Sequence, residues 1–442
     1  MAEERLDPAA QEIVETAWKS LLRKRIDNTE AKRQSWTDHE ADYGLLKDVD
    51  AINTLIAPYL LAPTSFVDPP LSYDEIEQNT LLLLEQVTRT SHERFHGFAA
   101  EPYPYVKIDV DFVDSAAAFI QLVCNIVELS AALKRPLSSN LSDAAADVLR
   151  SACAFLLEAK VEDRNGVRWQ GIAEETDPPG RYSNLFFTHA AALALHRAVN
   201  NATVARWLGA ERLEATNAAL EFVPTWVANQ YDSDMKSFWM DAARGINQPV
   251  GTLYALEILY KLADPLPDRA RDNCREALQR LSKRVTDVKS ASALQTDFFH
   301  ILPLPGGTGT IYYDDRKYIG AFLSVFSDIK AVDPSIISDD VVRASEAIFA
   351  GVSTEWIDEP SNLWDDGRPL ICYTQDALIG LIKYTLQGAM GTVSLREDQL
   401  RRALGAALQS EDVIELLVAA LLREAQLQHD RDFESRLTDA KP

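Results

Sequence analysis

Carboxylates that stand just before apolar helices, together with tryptophans in the same loops, are the residues of this sequence best suited to chemistry. Asp109, Asp111 and Asp114 precede the apolar stretch 115–130. Two carboxylates can cleave a glycosidic bond, because one acid protonates the leaving oxygen while the second activates water or attacks. The candidate catalytic residues are Asp111, Asp114, His189, Asp315 and Asp366, and the candidate substrate-binding residues are Trp169, Arg181, Trp239, Tyr313, Trp364, Arg368 and Tyr373.

A structural interpretation of the same residues stays open. An aspartate at the start of a helix caps free N–H groups and interacts favourably with the positive end of the helix dipole. A tryptophan in a loop is often an anchor that packs the loop onto the core. Each candidate therefore has an alternative role in which no chemistry takes place.

Two histidines of the segment 187–199 lie two turns apart on one predicted helix. His189 stands near the start of this helix, and we expect it to be the better acid–base candidate, because histidine ordinarily changes charge close to neutral pH. His196 lies deeper in the helix, where we predict a satisfied core residue.

Two motifs suggest a metal ion, but neither is complete. His92, Glu93 and His96 match the H-E-x-x-H pattern, in which two histidines on one helix face bind zinc and the glutamate acts as base. Here the motif follows polar residues at a predicted helix end, and Glu128 is a third ligand by spacing alone. The three aspartates 109, 111 and 114 lack the glycine and further oxygen ligands of a calcium loop. We expect no metal and no cofactor.

The charge balance limits the classes of partner. The chain has 44 Lys and Arg against 67 Asp and Glu, a formal net charge of −23. Nucleic acids and anionic membranes reward clustered positive charge, so neither is expected as a partner, whereas a basic protein is. No apolar run was found that approaches the roughly 18 residues of a membrane span, and the charged start lacks a signal peptide. Four cysteines far apart predict buried, reduced thiols in a cytoplasmic protein.

The elements that position these residues alternate between two kinds of helix. Six helices are apolar on most sides, at about 45–59, 115–130, 187–199, 250–262, 318–329 and 374–386. Six amphipathic helices follow them, at about 73–90, 141–160, 211–223, 267–288, 338–356 and 394–408. The buried helices recur roughly every 55 to 75 residues, a period at which stacked repeats share one core. A helix at 8–24 precedes the series, and a helix at 411–427 closes it.

The links that lead into the apolar helices are long and rich in strand formers and turn residues. Each has room for a small β-hairpin over one end of the assembly. The clearest case is the Gly-rich segment 306–309, which we interpret as the turn between strands 301–304 and 310–313. It is not a phosphate-binding loop, because no Lys-Ser/Thr pair and helix follow at the required spacing.

Six inner and six outer helices in alternation resemble the (α/α)6 toroids. Six-hairpin glycosidases, related lyases and epimerases, and the terpenoid-cyclase and prenyltransferase group share this architecture. The resemblance implies an all-α (α/α)6 toroid over one domain, 1–430, with helix 8–24 packing outside and a polar tail at 431–442. It also implies that the long loops line a funnel at the N-terminal ends of the inner helices. The Asp pairs at 314–315 and 365–366 resemble those of terpene enzymes, but the further Asp of that pattern is absent.

Two functions from different classes follow as hypotheses. The first is a toroid whose acidic, aromatic funnel binds a carbohydrate or another polyhydroxylated small molecule, with paired aspartates as the catalytic groups of a hydrolysis. The second is a non-catalytic scaffold that recognises a basic protein within a multi-protein bacterial system. A terpenoid-cyclase-like or zinc-dependent enzyme is a minor alternative. The two main hypotheses differ in whether carboxylates converge on an open centre or the centre is filled by apolar side chains.

Overall fold

The computed structural model describes a large part of the chain: residues 6, 8–23, 25–28, 33–36, 45–66, 69–91, 96–99, 112–169, 185–240, 242, 249–287, 299–303, 309–313, 315–358 and 371–389. All of these residues belong to one compact unit, Met1–Met390. The predicted helices at 394–408 and 411–427, the domain limit at 430 and the tail 431–442 lie outside the described residues.

The described elements are helices joined by two-stranded hairpins. The helices are α1 (Pro8–Arg23), α2 (Leu45–Leu61), α3 (Tyr73–Glu85), α4 (Phe112–Ala132), α5 (Ser139–Ala159), α6 (Leu185–Asn200), α7 (Ala202–Leu208), α8 (Ala210–Ala228), α9 (Pro249–Leu262), α10 (Asp268–Asp287), α11 (Asp315–Val332), α12 (Asp339–Asp358) and α13 (Ile371–Ala389). The strands are β1 (Arg25–Asn28), β2 (Arg33–Trp36), β3 (Thr88–Ser91), β4 (His96–Ala99), β5 (Val161–Asp163), β6 (Gly166–Arg168), β7 (Tyr231–Asp232), β8 (Ser237–Phe238), β9 (Phe299–Pro303) and β10 (Gly309–Tyr313).

Six of the helices form a closed inner ring. Each packs against the next in the order α2, α4, α6, α9, α11 and α13, and α13 packs back against α2. These are the six helices that the sequence predicts to be apolar on most sides. Helix α4 illustrates the reason, since 12 of its residues that carry apolar side chains, from Val113 to Leu129, are buried. Surrounded on every side, such a helix has no face left for polar residues.

An outer layer covers this ring. Helices α3, α5, α8, α10 and α12 pack on the inner helices beside them, and α1 contacts α12, α13 and α2. The amphipathic pattern of α1 explains its place: Ile13, Ala17 and Leu21 are buried on one face, as the spacing predicts. The alternation of inner and outer helices confirms the (α/α)6 toroid.

The inner helices run in the same direction, because their mutual contacts join positions of equal depth. Arg197, near the end of α6, contacts Glu128 near the end of α4. Lys261, near the end of α9, contacts Asp328 near the end of α11. Lys383 of α13 contacts the same aspartate. The N-terminal ends of these helices therefore gather at one end of the ring.

Antiparallel hairpins precede five of the six inner helices. Strands β1 and β2 precede α2, β3 and β4 precede α4, β5 and β6 precede α6, β7 and β8 precede α9, and β9 and β10 precede α11. The register Phe299 with Tyr313 and Pro303 with Gly309 confirms the hairpin predicted around the Gly-rich turn. The segment before α13 lies outside the described residues.

One prediction near residue 90 is wrong. Helix α3 ends at Glu85 rather than near residue 90, and strand β3 begins at Thr88. Ser91 pairs with His96 across the hairpin of β3 and β4. The His92–His96 motif therefore straddles a hairpin instead of a helix, so the helical spacing that would bring two histidines to one zinc ion does not apply.

Helix α4 has a second property that the sequence analysis did not expect. Among the described residues, its segment Val113–Ala132 is long and apolar enough, by length and composition, to cross a membrane. However, 72% of its most apolar window is buried inside the protein. The apolar character of α4 is thus accounted for by its place in the inner ring.

Candidate functional site

The described candidate residues gather at the N-terminal end of the inner ring. Asp114 lies in the first turn of α4 and His189 in the second turn of α6. The backbone places Tyr313 at the end of β10, Asp315 at the start of α11 and Tyr373 near the start of α13. The remaining candidates Asp111, Arg181, Trp364, Asp366 and Arg368 lie outside the described residues.

Trp169 is a packing anchor. Its side chain has no exposed surface, and its Nε1 donates a hydrogen bond of 2.7 Å to the carbonyl oxygen of Leu156. Its backbone N–H donates to the Thr188 hydroxyl at 3.1 Å, which ties the loop to the first turn of α6. A ring buried in this way offers no face to a ligand, so Trp169 supports the site from behind.

Trp239 follows β8 and is half-buried. Its backbone N–H donates to the Gln230 carbonyl oxygen at 2.9 Å, which continues the β7–β8 hairpin towards α9. Asp114 is also half-buried and keeps its place at the positive end of α4. The two residues flank the part of the ring in which His189 lies.

His189 forms a close pair with Glu257 of the neighbouring inner helix. The distance from His189 Nε2 to Glu257 Oε2 is 2.8 Å. The two side chains are 18% and 14% exposed. Helices α6 and α9 are covered on their outer sides by α7, α8 and α10, so the exposed part of the pair faces the centre of the ring.

The carboxyl group of Glu257 is ionised. Burial raises its pKa, but the charge of Lys261 and the hydrogen bond from His189 outweigh burial and hold the pKa well below its usual value. An ionised carboxylate only accepts hydrogen bonds, so Nε2 of His189 carries the proton of the 2.8 Å bond. In the neutral imidazole the other nitrogen, Nδ1, then has a free lone pair and acts as acceptor or base.

An aromatic wall stands beside the histidine. The ring of Tyr254 lies 4.3 Å from the His189 ring, centroid to centroid, at an interplanar angle of 32°. Phe186 lies against Tyr254 at 6.1 Å. Tyr254 comes one turn before Glu257 on α9, so a single helix supplies both the carboxylate that orients the imidazole and the ring that holds its face.

The pair is continued by charged residues from two more inner helices. Lys261 Nζ is 2.5 Å from Glu257 Oε1 and 3.5 Å from Asp328 Oδ2. Lys383 Nζ lies 3.1 Å and 2.9 Å from the two oxygens of Asp328, and 2.9 Å from the Ser324 hydroxyl. We call this set, from His189 to Lys383, the polar chain. It links α6, α9, α11 and α13 through side chains.

The sequence analysis identified only the first member of the polar chain. Glu257, Lys261, Asp328 and Lys383 were taken as ordinary charges on predicted helices. A signal was available, because each stands on a helix that is otherwise apolar on most sides, where a charge must find a partner. Which partner it finds depends on the register between helices, and the sequence does not contain that register in readable form.

A second polar cluster joins the other side of the ring. Arg197 donates to Glu128 at 2.7 Å and to Asn125 at 2.6 Å, and Asn125 donates to the buried Asn53 at 2.8 Å. Glu128 is therefore held by Arg197 and is not placed as a third ligand for the His92–His96 motif. Within the described part of the chain, no three His, Cys, Asp or Glu residues form a group that could hold a metal ion.

A closed ring of six parallel helices, an outer helical layer and hairpins at one end define the class of (α/α)6 toroids. No family model matches the chain, and no curated protein matches it significantly. Among solved structures, the cellobiose 2-epimerase from Bacillus thermoamylovorans B4167 is similar, with a TM-score of 0.50 and 11% sequence identity over 82% of this chain and 94% of that chain. This likeness shows that the two proteins share the toroid fold.

Proposed function

We propose that the protein binds a carbohydrate or another polyhydroxylated small molecule at the N-terminal end of the inner ring. The observation that carries the proposal is the His189–Glu257 pair, which has a fixed geometry, an ionised carboxylate and residual exposure towards the centre. A sugar offers many hydroxyl donors, and Nδ1 of a neutral His189 is an acceptor for one of them. The architecture shared with cellobiose 2-epimerase supports the same class of ligand.

The pair is also suited to proton transfer. A histidine oriented by a carboxylate can take a proton from a hydroxyl or from a carbon acid and return it later. Hydrolysis by paired aspartates is the finer proposal from the sequence, and it concerns Asp111, Asp114, Asp315 and Asp366. The toroid places Asp114 and Asp315 at the same end of the ring as His189, so both chemistries would act on one ligand.

The second candidate function is a scaffold for a basic protein. The observation in its favour is the formal net charge of −23, which would steer a cationic partner. A scaffold needs no oriented histidine at the centre of the ring, so a ligand test separates the two candidates. The nearly equal number of positive and negative groups in the polar chain also makes that chain a poor surface for a cationic partner.

The test is a binding screen with neutral sugars. Cellobiose, lactose, maltose and mannobiose are added to the full chain, and binding is followed by thermal shift and by isothermal titration calorimetry. Product formation is followed by chromatography. Glu257→Gln and the loop variants Asp111→Asn, Asp315→Asn and Asp366→Asn are compared with Asp272→Asn, which alters an exposed carboxylate paired only with Arg275 in the described structure.

We expect saturable binding of at least one sugar that is weakened about tenfold or more by Glu257→Gln and unchanged by Asp272→Asn. Absence of saturable binding for every sugar at millimolar concentration would contradict the proposal. In that case, recovery of a basic protein in stoichiometric amount with the wild-type chain would favour the scaffold.

A further inference from the structure

Both oxygens of Glu257 are occupied, and by groups of different origin. Oε2 lies 2.8 Å from His189 Nε2, while Oε1 lies 2.5 Å from Lys261 Nζ. A carboxylate that holds a partner on each oxygen cannot rotate without breaking one of these contacts. Lys261 therefore fixes the angle at which Glu257 meets the imidazole.

Lys261 is itself held from another helix. Its Nζ lies between Glu257 and Asp328, 3.5 Å from Asp328 Oδ2. Asp328 is in turn clamped by Lys383, which reaches both of its oxygens and the Ser324 hydroxyl. Four long side chains would lose about 1 to 2 kcal/mol of rotamer entropy each if ordered singly. Each contact here orders the next, so the chain as a whole defines one arrangement.

We infer that Lys261, Asp328 and Lys383 are positioning residues, which hold the Glu257 carboxylate against His189 and so set the pH at which this imidazole changes charge. The inference rests on the proposed function for the purpose of that imidazole. It adds three residues, on α9, α11 and α13, that touch no ligand themselves but decide the protonation state of the group that does.

The other charged groups around α6 leave His189 to this chain. On α6 itself, Arg197 is two turns away and pairs with Glu128 of α4. The charged residues of α7 and α8, namely Arg206, Glu211, Arg212, Glu214 and Glu221, are exposed. Arg168 of β6 pairs with Asp163. Asp114 of α4 lies near the same end of the ring, and Tyr254 contributes a ring face. Glu257 is the charged group in direct contact.

A purely structural role for the same residues makes a different prediction. Ion pairs between packed helices contribute to stability, and any substitution in the chain would then lower the unfolding temperature without regard to the sign of the charge removed. A positioning role adds an effect with a sign. Removal of a lysine favours the charged imidazole, whereas removal of Asp328 disfavours it.

The test is the pH titration of His189 followed by NMR of histidine side chains labelled with ¹⁵N, in the full chain without ligand. The His189 signals are assigned by their loss in His189→Gln. We expect the midpoint of the titration to rise by roughly 0.3 to 1 pH unit in Lys261→Met and to fall by a similar amount in Asp328→Asn. Lys261→Arg keeps the charge and should keep the midpoint. Glu128→Gln is the matched control on the opposite side of the ring, with no expected change.

Midpoints within about 0.1 pH unit of wild type in Lys261→Met and Asp328→Asn, or shifts of the same sign in both, would overturn the inference. If Lys261→Met fails to fold, Lys383→Gln replaces it, with a rise in the midpoint as the expected result and no rise as the contrary one. The titration uses no sugar, so a failed binding screen with the expected midpoints would reject the proposed ligand and leave the positioning role standing.

Discussion

Gly380 of α13 lies directly against the backbone of Gly320 of α11. A Cβ atom at Gly380 would stand 2.1 Å from the Gly320 carbonyl oxygen, and a Cβ at Gly320 would stand 2.3 Å from the carbonyl carbon and oxygen of Asp376. The two helices therefore meet backbone to backbone, which no residue other than glycine allows. This contact also sets the distance across which Lys383 reaches Asp328.

Alanine at Gly380 should separate α11 from α13. The new Cβ meets backbone atoms, which cannot move aside as a flexible side chain can, so the expected loss is about 3 kcal/mol of unfolding free energy or more. Chemical denaturation measures it. Gly251→Ala is the matched control, since its Cβ would lie 3.2 Å from Met240 atoms, and we expect a change below about 1 kcal/mol. Equal effects of both substitutions would contradict the close helix contact.

Replacement of Trp169 by Phe should lower stability without altering sugar affinity. Phenylalanine cannot donate the 2.7 Å hydrogen bond to Leu156 and leaves a small cavity, so we expect a loss of about 1 to 3 kcal/mol. Denaturation and calorimetry give the two quantities. A drop in affinity at unchanged stability would show that Trp169 is a ligand platform, as the sequence first suggested.

Asp333 should make the protein sensitive to acid. The hydrogen bond from Arg271, at 2.5 Å, lowers the pKa of Asp333 to about 2, with further help from the Ser335 hydroxyl. Because the folded pKa lies below the unfolded value of about 3.9, the stabilisation is complete above pH 4 and disappears as the pH falls towards 2. Arg271 is 37% exposed, so solvent reduces the contribution to about 1 to 2 kcal/mol.

The measurement for Asp333 is the unfolding free energy of wild type and Asp333→Asn between pH 2 and pH 7. We expect the difference between them to be largest near neutral pH and to shrink below pH 4. A difference that is independent of pH would show that the aspartate contributes by packing alone. Asp272→Asn serves as the control for an exposed ion pair.

Substitution of Asn125 should disrupt the cluster between α2, α4 and α6. Leucine in its place leaves the buried Asn53 amide and one Arg197 contact without a partner, at an expected cost of about 2 to 4 kcal/mol. The double variant Asn53→Leu, Asn125→Leu removes both amides together. A double-mutant cycle should show a total below the sum of the single costs. Strict additivity would show that the two amides are energetically independent.

Much of the fold could be predicted because it depends on patterns within single helices. The inner helices were recognised because Ala, Leu and Val cover most of their surface, as in the stretch 115–130. The hairpin of Phe299–Pro303 with Gly309–Tyr313 followed from its Gly-rich turn. The helix end at Glu85 was missed because the following residues 86–90 are compatible with a helix and only their pairing with β4 makes them a strand.

The site was predictable only at its edge. His189 was found because its position near a helix start and its residue type are both visible in the sequence. Glu257, Asp328 and Lys383 were missed because their roles arise from contacts between helices 55 to 68 residues apart. The approach of Gly320 to Gly380 was missed for the same reason, since a glycine in a helix is compatible with several structural causes.

An NMR titration of the ¹⁵N-histidine-labelled chain with cellobiose, and then with lactose, maltose and mannobiose, tests most directly whether His189 lies in a sugar site. The account predicts that at least one sugar shifts the His189 imidazole signals saturably, with the midpoint that calorimetry gives, while the His196 signals stay in place. Saturable binding that leaves the His189 signals unchanged, or no binding by any of the four sugars, would contradict it.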